Sequence, residues 1–93
     1  MDNVEARAVL QDHLRSYRQR PYGELVALLD KAHVAEVRGP SGVTYQVEVE
    51  VHWDHQPGGA LRVLGSVDDG GWRALKPLTD DFILAPDGTF VGE

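Results

Sequence analysis

The first third of the chain repeats apolar residues at the spacing of an α-helix. A stripe at intervals of three and four residues predicts an amphipathic helix over about residues 3–18. The positions that share this stripe are Ala6, Val9, Leu10, His13, Leu14 and Tyr17. Asp2, with Glu5 three residues later, matches the capping-box pattern of a helix start. Pro21 stops this helix and can open a second one, which we expect over about residues 22–31.

From about residue 34 the apolar period changes to two, the period of a β-strand. Within residues 43–53, apolar residues alternate with polar ones, which predicts a strand with one buried and one solvent-facing side. The inward set is Tyr45, Val47, Val49, Val51 and Trp53, and the outward set is Gln46, Glu48, Glu50 and His52. Shorter runs between Gly, Pro and Asp turn signals predict the other strands. The complete set of predicted strands is 34–38, 43–53, 60–67, 72–76, 82–85 and 89–91.

Two helices followed by a series of short strands indicate the α+β class. Neither layer can bury its apolar side alone, so the helices must cover one face of the sheet. We therefore expect an N-terminal helical pair packed on one face of an antiparallel β-sheet of four to six strands joined by tight turns. The whole of residues 1–93 is expected to form a single domain, with Val47, Val49, Val51 and Leu28 in one core.

Composition removes several classes of function. The chain has 93 residues and no cysteine, which excludes disulfides, cysteine-bound zinc and a thiol nucleophile. It carries 15 acidic and 9 basic side chains, an acidic balance that argues against nucleic acid as a partner. No apolar run approaches a membrane span, and the N-terminus lacks the pattern of a signal peptide. We expect a cytoplasmic protein that does not bind membranes.

Residues 58–74 read GGALRVLGSVDDGGWRA, and residues 77–83 read PLTDDFI. This stretch resembles a group of small uncharacterised bacterial proteins that share the pattern GGxLRVxGSxDDGGWR. The predicted turn at 39–42 and the strand at 45–53 are similar as well, so the resemblance covers the chain from about Tyr17 on. The group has no assigned activity, and the resemblance therefore implies neither catalytic residues nor a ligand.

One end of the predicted sheet collects groups that can bind metal. In an antiparallel meander alternate turns lie at the same end, so we expect the 54–59 loop and the 77–81 connection to be neighbours. Their imidazoles and carboxylates are candidate ligands for a divalent metal: His52, Asp54, His55, Asp80 and Asp81. The set lacks the spacing of a complete tetrahedral site. We predict no tight metal site and no cofactor, and a metal- or small-ligand-binding module at the His52–His55 end is the alternative.

No other motif predicts catalysis. Asp68 and Asp69 precede glycine in a hairpin turn, which explains them without acid–base chemistry. Ser41 lies in a Gly-Pro-Ser-Gly turn that matches neither a nucleophile elbow nor a phosphate loop. Trp53 is expected in the core, whereas Trp72 follows two glycines and is a candidate for a contact surface.

The missing motifs and the outward Glu48 and Glu50 favour a non-catalytic protein that acts by protein–protein contact, as an inhibitor or regulator. A ligand-binding module and an enzyme of unrecognised type are the alternatives, and either a monomer or a homodimer is compatible with the pattern. We further expect Arg62, on the neighbouring strand, to pair with one of these glutamates. The face would then be self-neutralised, and charge reversal at Glu50 would change partner affinity by less than about tenfold.

Overall fold

A computed structural model describes residues 1–71 and 76–93. Its elements, in chain order, are α1 (Asn3–Arg18), α2 (Tyr22–Val26), β1 (Ala32–Arg38), β2 (Thr44–Trp53), β3 (Leu61–Asp68) and β4 (Leu78–Leu84). The strands form one four-stranded antiparallel sheet in the order β1-β2-β3-β4. The fold is α+β, with the N-terminal helix packed against the antiparallel sheet, as the sequence predicts.

The register gives the sheet an inner face that α1 covers and an outer face that no described helix covers. Val49 of β2 pairs with Gly65 of β3, and Val51 pairs with Val63. The fully buried side chains of the inner face are Tyr45, Val47, Val49, Val51, Leu61, Val63 and Val67. The period-two pattern of β2 is thus confirmed, although Leu28 is only partly buried at the margin of this core.

Helix α1 has the predicted boundaries and the predicted buried stripe. Asp2 caps its start by accepting a hydrogen bond from the Glu5 N–H at 3.0 Å. The helix lies directly on Gly65, where a Cβ atom would approach Leu10 Cδ1 to 2.8 Å and Leu14 Cδ2 to 3.0 Å. A side chain at position 65 would therefore require the Leu10 and Leu14 side chains, or α1 itself, to shift.

The second helix is shorter than the predicted range of residues 22–31. After Val26 the backbone makes i to i+3 hydrogen bonds, and Asp30 adopts a left-handed conformation with φ 60°. The Asp30 N–H then donates to the Val51 carbonyl at 3.0 Å, which pulls the chain onto the sheet. Strand β1 consequently begins at Ala32, two residues before the predicted start.

The last third of the chain departs most from prediction. Strand β4 begins at Leu78, whereas the sequence predicts a connection over residues 77–81. The prediction misses this start because the polar residues Thr79, Asp80 and Asp81 hide the alternation of an edge strand. The predicted strand 89–91 is instead an isolated bridge between Leu84 and Phe90. The predicted strand 72–76 falls on residues 72–75, which lie outside the described residues.

The C-terminal segment is held against α1. Arg18 donates to both carboxylate oxygens of Glu93, at 2.8 and 2.6 Å. Its guanidinium also lies over the rings of Phe82 and Phe90, at 4.9 and 4.7 Å from their centroids. The basic end of α1 therefore fixes the C-terminal segment to β4.

None of the helices among the described residues has the length and apolar character to cross a membrane.

Candidate interaction surface

On the outer face of the sheet, three of the four strands, β2, β3 and β4, together carry four acidic side chains. We call this set the acidic face: Glu48, Glu50, Asp68 and Asp81. In the register, Glu48 lies between Val34 and Ser66, and Glu50 lies between Ala32 and Leu64. The direct cross-strand neighbours of both glutamates are therefore neutral. Two of them are also exposed apolar residues, Val34 at 63% and Leu64 at 37%.

His52 links Glu50 to the turn that precedes β1. Its Nε2 atom lies 2.8 Å from Glu50 Oε2, and its Nδ1 atom lies 3.3 Å from Asp30 Oδ1. Both carboxylates accept hydrogen bonds from the charged imidazolium, which is why the pKa of His52 is raised, first by Glu50 and less by Asp30. The same contact lowers the pKa of Glu50. Asp30 is a partner that the sequence did not reveal, since its position depends on the left-handed turn.

Glu48 has the opposite electrostatic surroundings. Its pKa is raised, first because its protonated carboxyl can hydrogen-bond to Glu50, and also because of partial burial and the charges of Glu50 and Asp68. The two glutamates thus repel one another when both are ionised. No arginine or lysine forms an ion pair with either glutamate among the described residues. Within the described residues, the negative charge of this part of the acidic face is offset by His52 alone.

The expected pairing of Arg62 with a glutamate is wrong. Arg62 lies opposite His52, two residue pairs further along the strands than Glu50. Its guanidinium instead binds Asp54 Oδ1 through Nε at 3.1 Å and Nη2 at 2.8 Å, and it binds Asp81 through Nη1. The Asp54 side chain is only 10% exposed, so it is the better-enclosed partner. Arg62 is therefore engaged at the end of the sheet, and His52 is the one cationic partner that the described residues offer to Glu48 and Glu50.

The predicted cluster of metal ligands is only partly assembled. The 54–59 loop shares its end of the sheet with the 86–88 turn, since β4 begins earlier than expected. Asp80 and Asp81 consequently point to opposite faces, and only Asp81 reaches Arg62, alongside Asp54. His55 Nε2 lies 3.3 Å from Asp54 Oδ2, and the His55 side chain is 90% exposed. In residues 1–71 and 76–93, no three histidine or acidic side chains come close enough to hold a metal ion.

Asp68 is the last residue of β3 and pairs with Gln46, and Asp69 follows it directly. Their carboxylates accept hydrogen bonds from the N–H groups of Gly70 and Gly71, at 2.8 and 3.1 Å. Gly70 has φ 84°, the conformation that glycine at this point of the hairpin provides. Trp53 is partly buried against the core. Trp72, the candidate contact residue, lies outside the described residues.

Ser41 belongs to a tertiary contact that the sequence did not predict. Glu5 Oε1 accepts hydrogen bonds from Ser41 Oγ at 2.6 Å and Tyr45 Oη at 2.8 Å. Glu5 therefore does not complete the expected capping box but fastens the 39–42 turn to the start of α1. Burial, together with the charge of Glu5, raises the pKa of Tyr45 to about 12. An inward tyrosine needs a partner for its hydroxyl, which was the available signal.

Comparisons of the chain with models of protein families, with curated proteins and with solved structures find no match. The resemblance of residues 58–74 to a group of bacterial proteins stays a prediction.

Proposed function

We propose that the protein is a non-catalytic interaction protein whose acidic face binds a basic surface of a protein partner. The observation that carries this proposal is the position of Arg62. Because Arg62 binds Asp54 and Asp81, the charges of Glu48 and Glu50 stay uncompensated by arginine or lysine among the described residues. Uncompensated charge of one sign attracts and orients a partner of the other sign.

The apolar neighbours of the glutamates support a contact surface rather than a merely solvated face. Val34 and Leu64 flank Glu48 and Glu50 on β1 and β3, and both are exposed. Interfaces combine apolar patches with charged groups that fix the orientation of the partner. A basic partner with apolar residues between its lysines or arginines fits this arrangement best.

Affinity for a cationic probe tests the proposal. We expect an oligolysine peptide, titrated by calorimetry at low ionic strength, to bind the wild-type chain and to lose affinity steeply as salt is added. Glu50→Lys should weaken binding by more than about tenfold. Glu24→Lys, on α2, makes the same change in net charge and is the matched control, expected to change affinity by no more than about threefold.

Circular dichroism of both variants establishes that each is folded. Equal weakening by the two variants would show that the probe responds to net charge alone, and the acidic face would then not be the binding surface. The expectation that reversal at Glu50 has a small effect depended on the pairing with Arg62 and does not apply to this structure.

A further inference from the structure

The two edges of the sheet differ in how their backbone groups are satisfied. At the β4 edge, the Val91 N–H donates to the Ile83 carbonyl at 2.9 Å, and Phe90 bridges to Leu84. At the β1 edge, no described strand pairs with the side that faces away from β2. An open edge offers unpaired N–H and C=O groups to another strand.

The direction of each backbone group on β1 follows from the turn that joins it to β2. The Gly39 N–H donates to the Val43 carbonyl, so odd-numbered residues of β1 face β2. The backbone groups of Val34, Glu36 and Arg38 therefore face the open edge. The side chains of Glu36 and Arg38 project from the outer face, are exposed, and have no ion-pair partner in the described part of the chain.

A groove of about 750 Å³ lies beside the same edge, on the inner face. It arises because α1 packs over β2, β3 and β4, and leaves the inner side chains of β1 only half-buried. Its apolar lining comes from the first half of α1 and the end of β1: Val4, Ala8, Val9, Val37 and Pro40. Val4 is 83% exposed, the most exposed large apolar residue of the described chain.

We propose that β1 pairs antiparallel with β1 of a second copy of this chain, about a two-fold axis at Val37, to form a continuous sheet. In this register Glu36 lies opposite Arg38 of the second copy, and Arg38 lies opposite its Glu36. A two-fold interface requires such reciprocal complementarity. A register centred on Glu36 sets like charges against each other, and one centred on Ala35 leaves Glu36 opposite Val34.

The groove supplies the apolar part of the interface. The two-fold axis passes between the Val37 residues of the two copies, and Val37 lines the groove. Because this axis is perpendicular to the sheet, both copies of α1 lie on the same side of the extended sheet. The two grooves therefore meet at the axis, and Val4 of each copy gains cover there. The backbone hydrogen bonds span a short segment and alone bury little surface. A stable dimer needs a larger buried area, and the apolar surface of the two grooves provides it.

Charge exchange at Glu36 and Arg38 tests the dimer and its register together. Sedimentation of the wild-type chain over a dilution series should show a species of twice the chain mass of 10.3 kDa. Glu36→Arg and Arg38→Glu should each raise the dimer dissociation constant by at least about tenfold, because each sets like charges opposite one another twice. An equimolar mixture of the two variants restores opposite charges at both sites and should recover the dimer.

The control variant is Glu24→Arg, an exposed charge reversal on α2 that should leave the dimer intact. Amide hydrogen exchange gives a second measurement on the wild-type chain, with the Glu36 and Arg38 N–H groups more protected at high than at low concentration. A wild-type chain that is monomeric throughout the series overturns the proposal. So does a dimer that survives both single variants, or a mixture of the variants that stays monomeric.

Discussion

The two sides of β2 differ in what surrounds them. On the inner side Val47, Val49 and Val51 are fully buried beneath α1. The outer side carries Glu48 and Glu50, which alternate with these valines along β2. Both glutamates lie between neutral cross-strand neighbours, and no described element covers them. The inner side forms the core of the fold. We expect the outer side to contribute little to stability and to be available for contact. Substitutions on the two sides should therefore separate stability from binding.

The largest effect is expected from a charge on the inner side. Val49 is fully buried in the apolar core, so Val49→Asp buries a carboxylate without a partner and should cost roughly 3–5 kcal/mol of the 5–15 kcal/mol that stabilises a domain. Urea unfolding followed by circular dichroism measures the loss. Wild-type stability in this variant would contradict the assignment of Val49 to the core.

A smaller loss is expected where α1 meets β3. Gly65→Ala places a Cβ atom within 3.0 Å of α1 side chains, and the resulting displacement should destabilise the protein by about 1–3 kcal/mol. Gly23→Ala is the matched control, because its Cβ meets no atom within 4 Å and α2 should gain up to about 1 kcal/mol. Equal effects of the two substitutions on the unfolding midpoint would show that α1 does not lie on Gly65.

The outer side should tolerate loss of a charge. Glu48→Gln removes the repulsion with Glu50 and should change the free energy of unfolding by no more than about 0.5 kcal/mol. Denaturant unfolding alongside Val49→Asp provides the direct comparison of neighbouring residues on opposite sides. A loss above about 2 kcal/mol would mean that Glu48 makes a stabilising contact.

The smallest effect concerns the titration of His52. Its hydrogen bond to Glu50 raises its pKa, whereas burial lowers the pKa of His13 on α1. The stabilisation from His52 is fully present below about pH 6.5, the ordinary imidazole pKa, and is lost as pH rises through the raised value. Titration of the imidazole NMR signals should give a higher pKa for His52 than for His13. Glu50→Gln should lower the pKa of His52 and leave that of His13 unchanged. A pKa of His52 at or below that of His13 would refute the contact with Glu50.

The inner side of β2 could be predicted from the sequence because alternation fixes which residues share a face. The environment of the outer side could not, because it depends on the register between strands. The offset of two residue pairs between Arg62 and Glu50 decides whether Arg62 can pair with the glutamates. The sequence contains both residues but not their alignment.

Local signals and long-range pairing also account for the other differences. The cap at Asp2 depends on nearby residues and was predicted correctly. The early start of β4 depends on pairing with β3, which overrides the turn propensity of Asp80 and Asp81. Glu5 was assigned to a local capping box, but its contacts with Ser41 and Tyr45 come from parts of the chain brought close only by folding.

The most direct test of the central claim is to locate where a cationic probe binds. Titration of the isotope-labelled chain with an oligolysine peptide, followed by amide NMR shifts, reports each residue separately. We predict that the largest shifts fall on Glu48, Glu50 and Leu64, and that they disappear in Glu50→Lys but persist in Glu24→Lys. Shifts spread evenly over the surface, or concentrated on α1, would contradict the assignment of the acidic face as the binding surface.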